Sequence, residues 1–197
     1  SCIRSISFIF AQTKLSMNIL ILGSGGREHT FAWKISQSNL LSQLFIAPGN
    51  PGTATLGTNL AIEVTDFEGI VAAIRANHID LVIVGPEEPL VRGIRNFIES
   101  QPDLQQVGIV GPGSDGAQLE GSKDFSKNFM HRYGIPTATS KTFTKETIQN
   151  GLDYLEAQSL PIVLKADGLA AGKGVIIAES IQEAKEALEE MLLESKF

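Results

Sequence analysis

Asn18-Ile19-Leu20-Ile21-Leu22-Gly23-Ser24-Gly25-Gly26-Arg27-Glu28-His29 sets four branched apolar residues against a glycine-rich turn and a charged triplet. A short apolar run bounded by glycine reads as a strand buried on both faces, the kind that parallel sheets use. A parallel strand needs a crossover, so the glycines are expected to open a helix. The chain repeats this pattern: Leu44–Ala47, Asp80–Val84 and Val107–Val110 are further β-rich runs flanked by glycine or proline. Helical periodicity lies between them. Phe67, Ile70, Val71 and Ile74 recur at i, i+3, i+4 and i+7, with Asp66 placed to cap the helix. Phe31 and Ile35, with Trp33 nearby, predict a helix after the first strand, and Val91, Ile94 and Ile98 another after the third. Strand and helix in alternation predict an α/β fold with a doubly wound parallel sheet.

The character changes through Gly111–Gly121, a loop or short helix read as the domain boundary. Phe125, Phe129, Met130 and Tyr133 then form a helical stripe that stops at Gly134 and Pro136. A second helix begins near Thr144 with Ile148, Leu152 and Leu155 on one face. Two short β-rich runs, Ile162–Lys165 and Val175–Ala178, are joined by a glycine loop, and Ser180 with Glu183 has capping-box spacing. The final helix would bury Ala184, Ala187, Leu188 and Met191. This organisation is residues 1–16 outside the fold, 17–121 as an N-terminal domain and 122–197 as the opening of a second. The second unit has few strands for a self-sufficient domain, so partner elements are expected to be missing from it.

Composition narrows the function. A net charge of −6 with pI near 5.1 and no basic cluster argues against nucleic acid as a partner. No apolar run approaches the roughly 18 residues of a membrane span, and mean hydropathy is +0.08. Cys2 is the single cysteine, which excludes an internal disulfide and a thiolate metal site and fits a reducing cytoplasm. His29, His78 and His131 lack ligand spacing, and His78 and His131 are expected at the surface. The first sixteen residues carry Arg4 and Lys14 around a short apolar stretch and no acid, a pattern shared by targeting segments and boundary artefacts.

Two glycine loops carry the chemistry. In the first, Gly25, Gly26 and Arg27 stand where a helix N-terminus offers free N–H groups to an anion. A dinucleotide fingerprint would need glycine where Glu28 stands, and no acid lies between His29 and Ala61 to hold a ribose, so NAD is disfavoured. The same turn without any ligand is the plain alternative. The second loop, Lys165-Ala166-Asp167-Gly168-Leu169-Ala170-Ala171-Gly172-Lys173-Gly174, resembles a Walker A motif but has three residues between Gly168 and Gly172 instead of four. A β-rich run follows it rather than a helix, so it reads as a flap over phosphates or as a simple hairpin. A lysine ending an apolar strand is costly to bury without an anion, which favours the flap. Pro48–Thr53 and Gly85–Leu90 sit at two further strand ends, where open sheets bind ligands and where ordinary turns also occur.

Five segments together resemble one family: Asn18–His29, Ala47–Thr53, Val84–Val91, Leu119–Lys123 and Leu164–Gly174 are similar, in the same order, to the phosphoribosylamine–glycine ligases, or glycinamide ribonucleotide synthetases, of the ATP-grasp superfamily. The resemblance runs from Met17 to Phe197, somewhat less than half of such an enzyme, which implies a doubly wound domain followed by the incomplete start of an ATP-grasp domain. It implies joining of glycine to 5-phosphoribosylamine in purine synthesis, with ATP and magnesium (or manganese), through a glycyl phosphate. By resemblance Lys123 and Lys165 hold the nucleotide, with Gly168, Leu169, Ala170, Ala171, Gly172, Lys173 and Gly174 as the covering loop. Gly25, Gly26, Arg27, Glu28, Asn50, Gly52, Thr53 and Glu87 look placed for phosphoribosylamine. No catalytic residue is assigned, and the magnesium ligands of the family would follow Phe197, so the chain alone is expected to be inactive. Another ATP-grasp carboxylate ligase, or a nucleotide-binding module without chemistry, are the alternatives. Oligomeric state has no signature in the sequence.

Overall fold

The computed structural model describes residues 16–168 and 174–193. The chain divides into two compact units, one ending at Gly113 and one beginning at Ser114.

The first unit is built on a five-stranded parallel sheet. Its strands are β1 (Met17–Gly23), β2 (Leu41–Pro48), β3 (Thr58–Asn59), β4 (Leu81–Val84) and β5 (Gly108–Val110), in the order β3-β2-β1-β4-β5. The central strand alternates its side chains between two cores, as a pleated strand must. Ile19 and Ile21 join Leu44, Ile46 and Ala32 of α1 (Gly26–Ile35) on one face. Leu20 and Leu22 join Val82, Val84, Ile70, Val71 and Ile74 on the other, where α2 (Phe67–Ala76) and α4 (Ile94–Glu99) pack. Helices therefore cover both faces, and the sheet is doubly wound. Fully buried residues such as Ile94 and Ile98 each contribute about 1.5–3 kcal/mol through the area they remove from water.

The helix predicted after the first strand is α1; it buries Ala32 and Glu28 and leaves Phe31 and Trp33 39% and 54% exposed. The helix expected across Val91, Ile94 and Ile98 is two helices, α3 (Glu87–Val91) and α4, because Gly93 turns left-handed at φ 88° between them. Within Gly85–Leu90, left open between a ligand loop and an ordinary turn, a helix begins at Glu87. The cap at Asp66 is made, with its carboxylate accepting from Gly69 N–H at 2.9 Å.

In the second unit α5 (Ser114–Gly121) packs on α6 (Lys123–Arg132), so the compact division falls before α5, whereas the sequence-based boundary lies after Gly121. Ser122 caps α6, and the helix buries none of its residues. The helix expected near Thr144 is α7 (Ile148–Glu156), preceded by a 3-10 turn at Lys145–Thr147. Strands β6 (Ile162–Lys165) and β7 (Val175–Ala178) pair antiparallel, Lys165 opposite Val175. Leu164, Ala178, Leu155 and Ala184, Ala187 and Leu188 of α8 (Ile181–Leu193) make the core of this unit. Ser180 accepts from Glu183 N–H at 3.2 Å, but the Glu183 carboxylate reaches Glu179 N–H rather than that of Ser180, one residue beyond a regular capping box.

Candidate functional site

In the first unit the strand order reverses at β1, so loops after β1 and β4 leave a crevice between them, the usual ligand position of an open parallel sheet. Gly25 caps α1 and Gly26 begins it, which leaves first-turn N–H groups without intrahelical partners. Glu28 is turned inward: it is 4% exposed, and its carboxylate accepts from Gly25 N–H at 2.7 Å and from Arg27 Nε at 3.2 Å. That is the glutamate half of a capping box, worked against a glycine that has no side chain to complete it. Gly23 and Gly85 wall the same carboxylate, since a Cβ on either would overlap Glu28.

Arg27 faces outward, its side chain 58% exposed, and its Nη2 lies 3.7 Å from Glu87 Oε2 across the crevice. An exposed pair at that distance adds little stability. The loop after β2 closes the third side. Asn50 Nδ2 donates to Ser24 C=O at 2.9 Å, and Gly49 N–H donates to Gly23 C=O at 3.2 Å. Thr53 is fully buried: its hydroxyl accepts from Asn50 N–H at 2.8 Å and lies 2.8 Å from Asn59 Oδ1. Gly52 gives way to His29, whose Cε1 and Nδ1 fill the position a side chain would take. The structure thus brings Gly25, Gly26, Arg27, Glu28, Asn50, Gly52, Thr53 and Glu87 to one end of the sheet. It turns Glu28 and Thr53 into the scaffold and leaves Arg27 and Glu87 at the mouth. Asn59, packed into these loops, belongs to no motif, and spacing carries no signal for it; His29 closes the first motif but was given no role there.

The second unit holds Lys123, Lys165, Gly168 and Gly174. Leu169, Ala170, Ala171, Gly172 and Lys173 lie outside the described residues, as does the extension before Ser16. Asp167 is the organiser. Its carboxylate accepts from Lys123 N–H at 2.5 Å, Asp124 N–H at 3.3 Å and the Ser122 hydroxyl at 3.1 Å. Burial pushes this carboxyl up, but the bonds from Lys123, Asp124, Ser122 and Gly168 outweigh it and hold it below the ordinary carboxylate range. The N-terminus of α6 is thereby already filled by a side-chain carboxylate. Lys123 Nζ donates to Gly168 C=O at 2.8 Å, and Ala166 N–H to Gly174 C=O at 2.8 Å, so both ends of the glycine loop are fastened.

Lys165 is exposed, which removes the desolvation argument made for it. Among the described residues, helices cover the two-stranded sheet on one face only. Lys165 stands on the other with Val163, Val175 and Ile177, which are 51%, 45% and 57% exposed. The arrangement is an open apolar platform with a cation at its end. Among the described residues no group of three or more His, Cys, Asp or Glu side chains is gathered as a metal site, and no helix is long and apolar enough to cross a membrane.

A doubly wound parallel domain followed by a two-stranded antiparallel hairpin with a glycine loop and flanking lysines defines the ATP-grasp ligase class. Residues 17–120 match the model for the phosphoribosylglycinamide synthetase N domain, and residues 121–197 match that for its ATP-grasp (A) domain. The chain belongs to the phosphoribosylglycinamide synthetase family. It is 50% identical over 183 residues to the phosphoribosylamine–glycine ligase of Pasteurella multocida, covering 92% of this chain and 41% of that relative, and 46% identical to the Escherichia coli K12 ligase with the same coverage. A solved phosphoribosylamine–glycine ligase from Thermotoga maritima is 32% identical at TM-score 0.67, matched over 89% of this chain and 39% of its own. An Aspergillus clavatus N5-carboxyaminoimidazole synthase, solved with ADP and an aminoimidazole ribonucleotide, shares the fold at 18% identity and TM-score 0.66, over 90% of this chain and 44% of its own. The chain therefore spans about two fifths of the length of the curated relatives it matches.

Proposed function

We propose that the full-length protein joins glycine to 5-phosphoribosylamine with ATP, giving glycinamide ribonucleotide, ADP and phosphate in purine synthesis. On this reading the chain supplies the phosphosugar side and the opening of the nucleotide side. The observation that carries it is the crevice after β1 and β4. The first-turn N–H groups of α1, starting at Gly26, stand beside the Arg27 guanidinium, with the Glu87 carboxylate opposite. N–H groups and a guanidinium suit a phosphate, and a carboxylate suits ribose hydroxyls or an amine. One small molecule carries all three: a phosphorylated ribosylamine.

In the proposed reaction a glycine carboxylate oxygen attacks the γ-phosphorus of ATP, and ADP leaves. The amine of phosphoribosylamine then attacks the acyl carbon, loses a proton, and phosphate departs. Such chemistry depends on positioning and charge neutralisation more than on a covalent enzyme group. Lys165 would place its charge at the edge of the open β6–β7 platform, against the nucleotide. Lys123 and Asp167 would set the base of the covering loop, which also includes Leu169–Lys173. Magnesium supplies neutralisation of phosphate charge in reactions of this kind; among the described residues no three His, Cys, Asp or Glu side chains gather to hold it. A single cysteine fits a reducing, cytoplasmic setting.

Calorimetric titration of the full-length protein with ATP tests the nucleotide side. Lys165→Met is expected to weaken binding about tenfold, or about 1.4 kcal/mol, through loss of a charge-assisted contact. Unchanged affinity removes Lys165 from the site. ATP binding with no ADP release when glycine and phosphoribosylamine are added would replace the ligase with a binding module.

A further inference from the structure

The loop after β2 is held from beneath by a residue that no sequence pattern marks. Asn59 ends the short edge strand β3, opposite Ile46 of β2. Its Oδ1 lies 2.8 Å from the Thr53 hydroxyl, and its Nδ2 donates to Asn50 C=O at 2.8 Å. Gly49, at φ +72°, lies flat on the same amide, where a Cβ would overlap it. The loop is therefore closed over Asn59 by an acceptor, a donor and a face.

What the loop does next depends on that closure. Asn50 Oδ1 accepts from Thr53 N–H at 3.0 Å, which leaves Asn50 Nδ2 aimed at Ser24 C=O, 2.9 Å away. With the Gly49 N–H to Gly23 bond at 3.2 Å, this sets the backbone immediately before the N-terminus of α1. Asn59 is thus linked to the glycine loop through two residues while lying in a different strand, nine residues from Asn50.

We propose that Asn59 is a positioning residue for the phosphosugar crevice: it touches no substrate, but fixes Asn50 and, through it, the Gly23–Gly26 loop. This rests on the assignment of that crevice to 5-phosphoribosylamine. Placement errors of about 1 Å can cost as much as a hundredfold in productive binding and turnover, so a loosened template is expected to appear as weakened use of one substrate.

The test is steady-state ADP release by the full-length protein, varying phosphoribosylamine, glycine and ATP in turn. Asn59→Asp keeps size and one acceptor but loses the donor to Asn50 C=O and sets a carboxylate against it. It is expected to raise KM for phosphoribosylamine about tenfold while KM for ATP and glycine, and kcat, stay within about twofold. Asn59→Ser, which removes both bonds without adding charge, is expected to show the same split. A lowered melting temperature with all three KM values unchanged would make Asn59 merely structural and overturn the proposal, as would an equal rise in all three or failure of both variants to fold. Arg27→Ala run alongside separates the two claims. If it raises KM for phosphoribosylamine and the Asn59 variants do not, the role of Asn59 falls alone; if none of them does, the assignment of the crevice falls with it.

Discussion

Replacing Gly85 with alanine asks whether the loops after β1 and β4 are packed as tightly as their geometry indicates. Gly85 is not among the glycines with left-handed φ, so alanine imposes no backbone strain. Were there room, the substitution would stabilise by about 0.4–1 kcal/mol through the unfolded chain. There is none: a Cβ would sit 2.5 Å from Glu28 Cγ and 2.6 Å from Cδ, and would overlap Oε1. Glu28 has nowhere to move, being 4% exposed, bonded to Gly25 N–H at 2.7 Å and flanked by Gly23 on the other side. Overpacking costs about 1–3 kcal/mol and an unmade bond to a buried carboxylate about 1–3 more, so a loss of roughly 2–6 kcal/mol is expected. Trp33, the sole tryptophan, lies on α1 and reports this unit in urea unfolding. In a Glu28→Ala background the clash is gone, and Gly85→Ala should cost about 2 kcal/mol less than in the wild type. A raised midpoint for Gly85→Ala, or equal costs in the two backgrounds, would refute the packing.

Two further outcomes follow from other elements. The Asp167 carboxyl is held below its ordinary value, so its contribution is full above the unfolded pKa of about 3.9 and is lost as pH falls through the lower folded value. The melting temperatures of wild type and Asp167→Asn should therefore differ near neutral pH and converge below about pH 4; a gap independent of pH would remove Asp167 from the cap of α6. Gly93→Ala forces a side chain to φ 88° between α3 and α4, which should cost about 1–2 kcal/mol in the Trp33-monitored unfolding, and no loss would show that the two helices straighten into one.

Strand β1 was legible because burial on both faces demands a run of branched residues, and Asn18–Leu22 is such a run; Ile162–Lys165 carries a similar apolar run although only one of its faces is covered. Strand β3 was not, since two residues at a sheet edge need only pair their backbone and carry no apolar signature. The helix at Trp33 was legible but its buried side was not: on a helix the size of a side chain does not say which side it faces, and here the small Ala32 sits against the sheet. Lys165 misled because a hairpin covered on one face leaves its other face in water, a fact about layers rather than about the strand.

Polar residues at the starts of helices and in the site loops sort physically into two sets. Those with an unsatisfied backbone N–H three residues away tend to be consumed by it: Glu28 by Gly25, Asn50 by Thr53, Asp66 by Gly69, Ser122 by Phe125. That spacing was readable for Glu28, and it argues for a scaffold role rather than direct contact. Asp167 marks the limit of the rule, because the N–H groups it satisfies belong to a helix more than 40 residues earlier in the chain. Glu87 stands at the N-terminus of α3 with no side-chain cap bond at that end, and its carboxylate lies 3.7 Å from the Arg27 guanidinium. Local backbone demand claims one set of polar side chains for the fold; the Arg27–Glu87 pair is exposed and long, so these two are the better places to test for substrate contact.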